Sequence, residues 1–171
     1  MEDREKKVTA QVSDKDLIER FQQGDASAYD QIVRRYKDQL LNFVFRFLAI
    51  SEEAEDVVQE TFLRVYRNRF AYTRVAKFST WIYTIARRLA INHRSRQKSF
   101  SGLTAVDELA AREHEAPVDG LWQKARALLS ERDFSALWLR YGEDRELSEI
   151  GSILGITALN ARVILHRARE R

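Results

Sequence analysis

ELSEIGSILGITALNARVILHRARER, residues 146–171, is the stretch whose reading decides the fold. Leu147, Ile150, Ile153 and Leu154 recur at i, i+3 and i+4 spacing and give a short helix one apolar face. Ala161, Leu165 and Ala168 do the same for a second, longer helix that is rich in arginine. Between them stands Gly155-Ile156-Thr157, where the glycine permits the positive φ that a tight turn needs. Two short helices joined in this way outline a helix-turn-helix. With its apolar face inward, the second helix leaves Asn160, Arg162, Arg167 and Arg169 outside. Arg and Asn read guanine and adenine edges in the major groove, and Arg also clamps phosphate. A solvated helix end, where arginine suits the dipole, is the competing reading.

Helical periodicity extends over nearly all the rest of the chain. Residues 26–50 place Tyr29, Ile32, Val33, Tyr36, Leu40, Phe43, Val44, Phe47 and Leu48 on one stripe. A shorter helix, 14–23, precedes it, started by Ser13 or Asp14 and stopped at Gly24. A third follows Ser51 as N-cap, with Glu52 and Glu53 in the first turn, and buries Val57, Val58, Thr61, Phe62 and Val65. A fourth, about 78–96, buries Ile82, Ile85, Ala86 and Leu89. From 99 to 119 the pattern breaks; this acidic segment holds the chain's only proline, Pro117. Period returns at Leu121, and Ser130 reads as an N-cap with Asp133 in the capping-box position. The predicted fold is therefore all-α. A disordered tail, 1–13, precedes a helical bundle at 14–98. A flexible acidic linker, 99–119, leads to a helix-turn-helix domain at 120–171.

Composition narrows the function. The 171 residues include no cysteine, which excludes a disulfide framework, a thiol nucleophile and a Cys-based zinc site, and suits a cytoplasmic setting. His93, His114 and His166 match no metal-ligand spacing, and no carboxylate pair or nucleophile arrangement is apparent. The expectation is no enzyme, no metal and no cofactor. No apolar run reaches the length of a membrane span. The net charge is only +3, but its distribution is uneven: 77–98 and 160–171 are strongly basic and 107–119 is acidic. Two separated basic patches point to a polyanion.

Two further stretches carry chemistry. KFSTWIYTIARRLAINHRSRQK, residues 77–98, contains no acidic residue. With Ile82, Ile85 and Leu89 inward, Trp81, Tyr83, Arg87, Arg88 and Arg94 flank the buried stripe. Aromatic faces stack unpaired bases and adjacent cations hold the backbone, so this suits an opened strand better than a closed duplex. An aromatic core edge beside a soluble basic face is the plainer alternative. The preceding loop, NRFAYTRVAK, offers a pocket for an extruded base. In DVVQETF, residues 56–62, Asp56, Gln59, Glu60 and Leu63 lie opposite the buried face. Any surface helix has a polar outer face, but Leu63 among the acids favours a docked, basic partner.

With these residues in view, the chain resembles the extracytoplasmic-function (group IV) sigma factors of bacterial RNA polymerase. The markers are GDASAYDQIVRRY, EDVVQETFLRVY, FSTWIYTIARRLAINHRSR and the block from LSERDF to the C-terminus, in the family's order from Asp16 to Arg171. The resemblance implies a region-two domain, a linker and a region-four domain. It implies that Asp56, Gln59, Glu60 and Leu63 dock on the β′ clamp helices of core polymerase, with Phe62 in the core and the β flap as a further contact. It implies that Phe70, Tyr72, Lys77, Phe78, Ser79, Trp81, Tyr83, Arg87, Arg88 and Arg94 handle the melted −10 element. Asn160, Arg162, His166, Arg167 and Arg169 would then read the duplex −35 element. An anti-sigma factor is the implied regulator. Three departures stand out. Arg88 replaces a common Asn; Ile164 replaces a common basic residue and either touches a thymine methyl or packs; Ser130 stands near a usual Pro. A helix-turn-helix regulator independent of polymerase is the alternative, and it leaves 77–98 and the Asp56 face without a role.

Overall fold

The computed structural model describes residues 12–100 and 120–170. The expected tail up to residue 11 and the linker from 101 to 119 lie outside the described residues. Every regular element among the described residues is helical: α1 Asp14–Gln22, α2 Ala26–Leu48, α3 Ser51–Arg67, α4 Phe78–Phe100, α5 Gly120–Leu128, α6 Glu131–Leu137, α7 Leu147–Leu154 and α8 Ala158–Arg169. A 3-10 turn, Arg69–Ala71, follows α3, and a π segment, Trp138–Gly142, continues α6. Ser99 and Phe100, expected to open the linker, instead continue α4.

The caps show why the helices begin where they do. The Ser13 hydroxyl accepts from the Asp16 amide and starts α1. Asp25 caps α2 by accepting from the Ser27 and Ala28 amides. The Ser27 hydroxyl, and then the Arg20 guanidinium, hold its carboxyl down at about 2. A carboxyl lowered by folding stabilises the folded state above its ordinary value of 3.8 and loses that effect as pH falls toward 2. This cap is therefore intact at neutral and mildly acidic pH. Ser51 departs from expectation: it is the first helical residue of α3, and Ile50 holds the N-cap position without a side-chain bond.

In α2 the apolar stripe faces inward as its spacing requires. Ile32, Leu40, Phe43 and Val44 are fully buried, and α1, α3 and α4 pack around them. Thr61 is tolerated in that core because its hydroxyl donates to the Val57 carbonyl at 2.7 Å. In the C-terminal part, Phe134, Leu139, Ile150, Ile153, Ala161, Ile164 and Leu165 form the interior. The two parts also meet. Helix α7 packs against α4, so α4 is covered on both sides and is buried around more than one stripe.

The helix-turn-helix depends on two glycines. Gly155 ends α7 with φ +71°, the left-handed geometry the turn requires. Gly151 lets the turn fold back. A Cβ there would lie 2.7 Å from the Ile156 carbonyl oxygen and 3.2 Å from the Ala158 nitrogen, both backbone atoms that have nowhere to go. Gly151→Ala should therefore destabilise the C-terminal part by about 1–3 kcal/mol, as overpacking does. Denaturant unfolding followed by tryptophan fluorescence checks this, and a midpoint equal to wild type would show that the turn has slack.

Candidate nucleic-acid and polymerase interfaces

In the helix-turn-helix, α7 and α8 cross at 96°, within the range of the motif. The Thr157 hydroxyl accepts from the Asn160 amide at 3.1 Å and starts α8. Ala161, Ile164 and Leu165 are buried, while Asn160, Arg162, His166, Arg167 and Arg169 are exposed. Ile164 therefore packs, at 5% exposure, and is not available to a thymine methyl. Leu159 and Val163, which periodicity did not single out, share the outer face at 71% and 39% exposure. Apolar side chains among arginines suit a major groove, where thymine methyls line the floor.

On α3, Asp56, Gln59 and Leu63 are exposed and Glu60 is half-buried, so among the described residues nothing covers the expected outer face. Glu60 accepts from Arg64 one turn on, at 2.8 Å. Tyr66, which the sequence reading passed over, extends this face. Its ring rests against Phe21 and Tyr29, with centroids 5.5 and 5.3 Å away.

The loop from α3 to α4 is built as a rim. Gln22 of α1 reaches across to donate to the Arg69 carbonyl at 2.6 Å, and the Tyr72 hydroxyl donates to the Ala76 carbonyl at 2.7 Å. Arg74, at φ +62°, pairs with Glu19 at 2.7 Å. Phe70 and Val75 are held out into solvent, at 66% and 93% exposure, and Arg69 lies over the Phe70 ring at 4.5 Å. Val75 and Arg69 were not in the expected set. Behind the rim, Tyr72, Phe78 and Trp81 form an aromatic cluster with centroid separations of 5.3–5.8 Å. Lys77 and Arg88 are exposed; Tyr72, Trp81, Arg87 and Arg94 are half-buried.

Three of the expected −10 residues are placed differently. Tyr83 is fully buried, Phe78 is 3% exposed and Ser79 is 6% exposed. Phe78 plugs the bundle against Tyr36. The Tyr83 ring rests on Phe43, its hydroxyl donates to the Glu143 carboxylate at 2.7 Å, and the Arg145 guanidinium lies 4.7 Å over its face. Burial first, and the Glu143 charge second, push its phenol well above the usual tyrosine range. A single-helix period places Tyr83 beside the stripe, but the second domain covers that side of α4.

Two family models match the chain: Sigma-70 region 2 over residues 32–100 and Sigma-70, region 4 over residues 127–171. The ECF RNA polymerase sigma factor SigW of Bacillus subtilis is 31% identical over 91% of this chain and 92% of its own. The chain belongs to the ECF sigma factors of RNA polymerase. The RNA polymerase sigma-H factor of Pseudomonas aeruginosa is likewise 31% identical, over 95% of this sigma factor and 93% of its own length. Among solved structures, CnrH bound to the cytosolic domain of CnrY shares the fold with a TM-score of 0.72 at 20% identity, covering 92% of each chain. An engineered region 2 of sigmaE bound to GTAAAA is 37% identical with a TM-score of 0.50, covering 55% of this sigma factor and 98% of that chain.

Proposed function

We propose that this sigma factor brings core RNA polymerase to promoters through three surfaces. Asp56, Gln59, Glu60 and Leu63 on α3, with Tyr66 beside them, dock on a basic helical surface of the polymerase, the β′ clamp helices. The rim and cluster at Phe70, Tyr72, Lys77 and Trp81, with Arg87, Arg88 and Arg94, hold the melted −10 strand, and the buried Phe78, Ser79 and Tyr83 support them from the interior. Asn160, Arg162, His166, Arg167 and Arg169 read the −35 duplex, with the β flap supporting that domain. The functional units are 14–98 and 120–171. Two weak DNA contacts on one polymerase gain from effective concentration without needing new contacts. Binding energy opens the duplex and the chain itself catalyses no reaction. Its place of action is the bacterial cytoplasm, where polymerase works; among the described residues no single helix is long and apolar enough to cross a membrane. The similarity to a region 2 bound to GTAAAA supports the −10 assignment. RpoE of Bartonella quintana, which shares the fold at 20% identity and a TM-score of 0.69, was solved with the anti-sigma factor NepR, and we infer a regulator of that class here.

The observation that carries the −35 assignment is α8, which turns every basic side chain of the expected set outward while Ala161, Ile164 and Leu165 face inward. Reconstituted core polymerase with this chain should start transcripts across a genomic promoter library at sites sharing two elements. Arg162→Ala should cost roughly 1–3 kcal/mol at one position of the upstream element if it contacts a base. Absence of chain-dependent transcripts would overturn the function. A loss spread evenly over all sequences would reduce Arg162 to a phosphate contact.

A further inference from the structure

At one point between the N-terminal bundle and the C-terminal part, the charges do not balance. Arg46 of α2, Arg94 of α4 and Arg126 of α5 line a cavity of about 250 Å³, with Phe47 and Phe134 as apolar wall. Glu131 is the only carboxylate on that wall among the described residues, so three guanidinium groups share one negative charge. Arg94 is nearest to it, with Nη1 3.6 Å from Glu131 Oε2. Arg126 donates to a neutral partner, the Phe47 carbonyl, at 2.9 Å. Arg46 lies 4.5 Å over the Trp138 ring, and its Nε is buried without a hydrogen-bond partner among the described residues. All three arginines are half-buried. Burial pulls the Arg126 guanidinium below its usual range, Arg94 and Arg46 push it the same way, and Glu131 offsets only part.

Like charges gathered beside apolar walls repel more strongly than they would in water. Three guanidinium groups less one carboxylate leave two positive charges in excess, which a dianion would match. Guanidinium forks fit the oxygens of phosphate in pairs, and arginine stays charged even where burial disfavours it. A carboxylate fills one fork, whereas a phosphate has oxygens for all three arginines. We propose that Arg46, Arg94 and Arg126 form a site for a small phosphate anion, free or carried on a metabolite. The cavity is smaller than the roughly 300–1,000 Å³ of pockets that enclose drug-sized ligands. It therefore takes phosphate groups and leaves any attached nucleoside outside. Arg46 and Arg94 come from the N-terminal bundle and Arg126 from the C-terminal part, so the bound anion ties the two together and stabilises the folded chain. Only Arg94 is shared with the −10 set, so the site is independent of that reading.

Isothermal titration of the full-length chain with inorganic pyrophosphate, at constant ionic strength, tests this. One saturable site per chain is expected, and pyrophosphate should raise the melting midpoint. Arg46→Gln and Arg126→Gln should each weaken binding about tenfold, as loss of a charged hydrogen-bond donor does. Arg34→Gln, exposed on α2 and outside the cavity, should leave binding unchanged. Glu131→Gln removes the competing carboxylate and should tighten binding about tenfold, a gain that misfolding cannot mimic. Melting curves without ligand establish that each variant is folded. Absence of a saturable site, affinity unmoved by Arg46→Gln and Arg126→Gln, an equal loss in Arg34→Gln, or weaker binding in Glu131→Gln would overturn the site. Titrations with inorganic phosphate and a nucleoside triphosphate identify the source. Equal affinity for pyrophosphate and the triphosphate supports a site for phosphate groups alone, and tighter triphosphate binding supports a nucleotide whose nucleoside rests at the cavity mouth.

Discussion

Glu60→Lys is expected to abolish binding to core RNA polymerase while the helical bundle stays folded. Glu60 is 38% exposed and its ion pair with Arg64 is of the i,i+4 surface type. Such pairs contribute about 0.3–0.5 kcal/mol, and a like-charge pair in that place costs a similar amount. The fold should therefore lose less than about 1 kcal/mol. At an interface with a basic partner the arithmetic differs. A reversed charge facing like charges costs several kcal/mol, and about 3 kcal/mol is more than a hundredfold in Kd. Asp56→Ala with Gln59→Ala should weaken binding less, since neither change introduces repulsion and both side chains are exposed. A pull-down with core polymerase and a melting curve on each variant separate the two effects. Unchanged affinity in Glu60→Lys would remove the docking assignment.

The second large effect is expected from Trp81→Ala with Arg87→Ala, which should impair open-complex formation more than duplex binding. Base stacking on an aromatic side chain contributes about 1–3 kcal/mol per base, so a ten- to hundredfold drop in open complexes is expected. Trp81 also packs against Tyr72 and Phe78, with centroids 5.3 and 5.8 Å away, so alanine removes packing as well as a π-face. Trp81→Leu keeps apolar volume without the π-face and Trp81→Phe keeps the π-face. Defective opening in the leucine variant and recovery in the phenylalanine variant identify stacking. Equal loss of duplex binding and opening would count against a melting role.

Much of this architecture was legible because local rules and tertiary packing agree. The α2 stripe from Tyr29 to Leu48, the Ser130 cap on α6 and the Gly155 turn each follow from spacing or backbone chemistry that a sequence displays directly. Phe78 and Ser79, which the resemblance implied for DNA, are buried, with Phe78 against Tyr36, and Tyr83 was misjudged for a different reason. Helical periodicity finds one buried stripe, whereas α4 is covered from two sides, and the second cover comes from residues some 60 positions away, such as Glu143. Gly151 escaped notice because its role is close approach to the Ile156 backbone, which no pattern encodes. Ile164 was open between DNA and core because its position on α8 borders both faces, and only packing against α6 and α7 decides it. Leu159, Val163, Val75 and Tyr66 share a common blind spot. They are apolar side chains left in solvent, where a hydrophobic pattern assigns them to the interior.

The most direct measurement places 2-aminopurine at successive positions of the non-template −10 strand of a promoter recovered from the transcription library. Fluorescence rises where a base leaves the stack. With this chain and core polymerase together it should rise at one or two −10 positions, without any nucleotide added, and the rise should vanish in Glu60→Lys. A rise with the chain alone, or a rise undiminished in Trp81→Ala with Arg87→Ala, would contradict the claim that α4 holds opened DNA only when α3 is docked on polymerase.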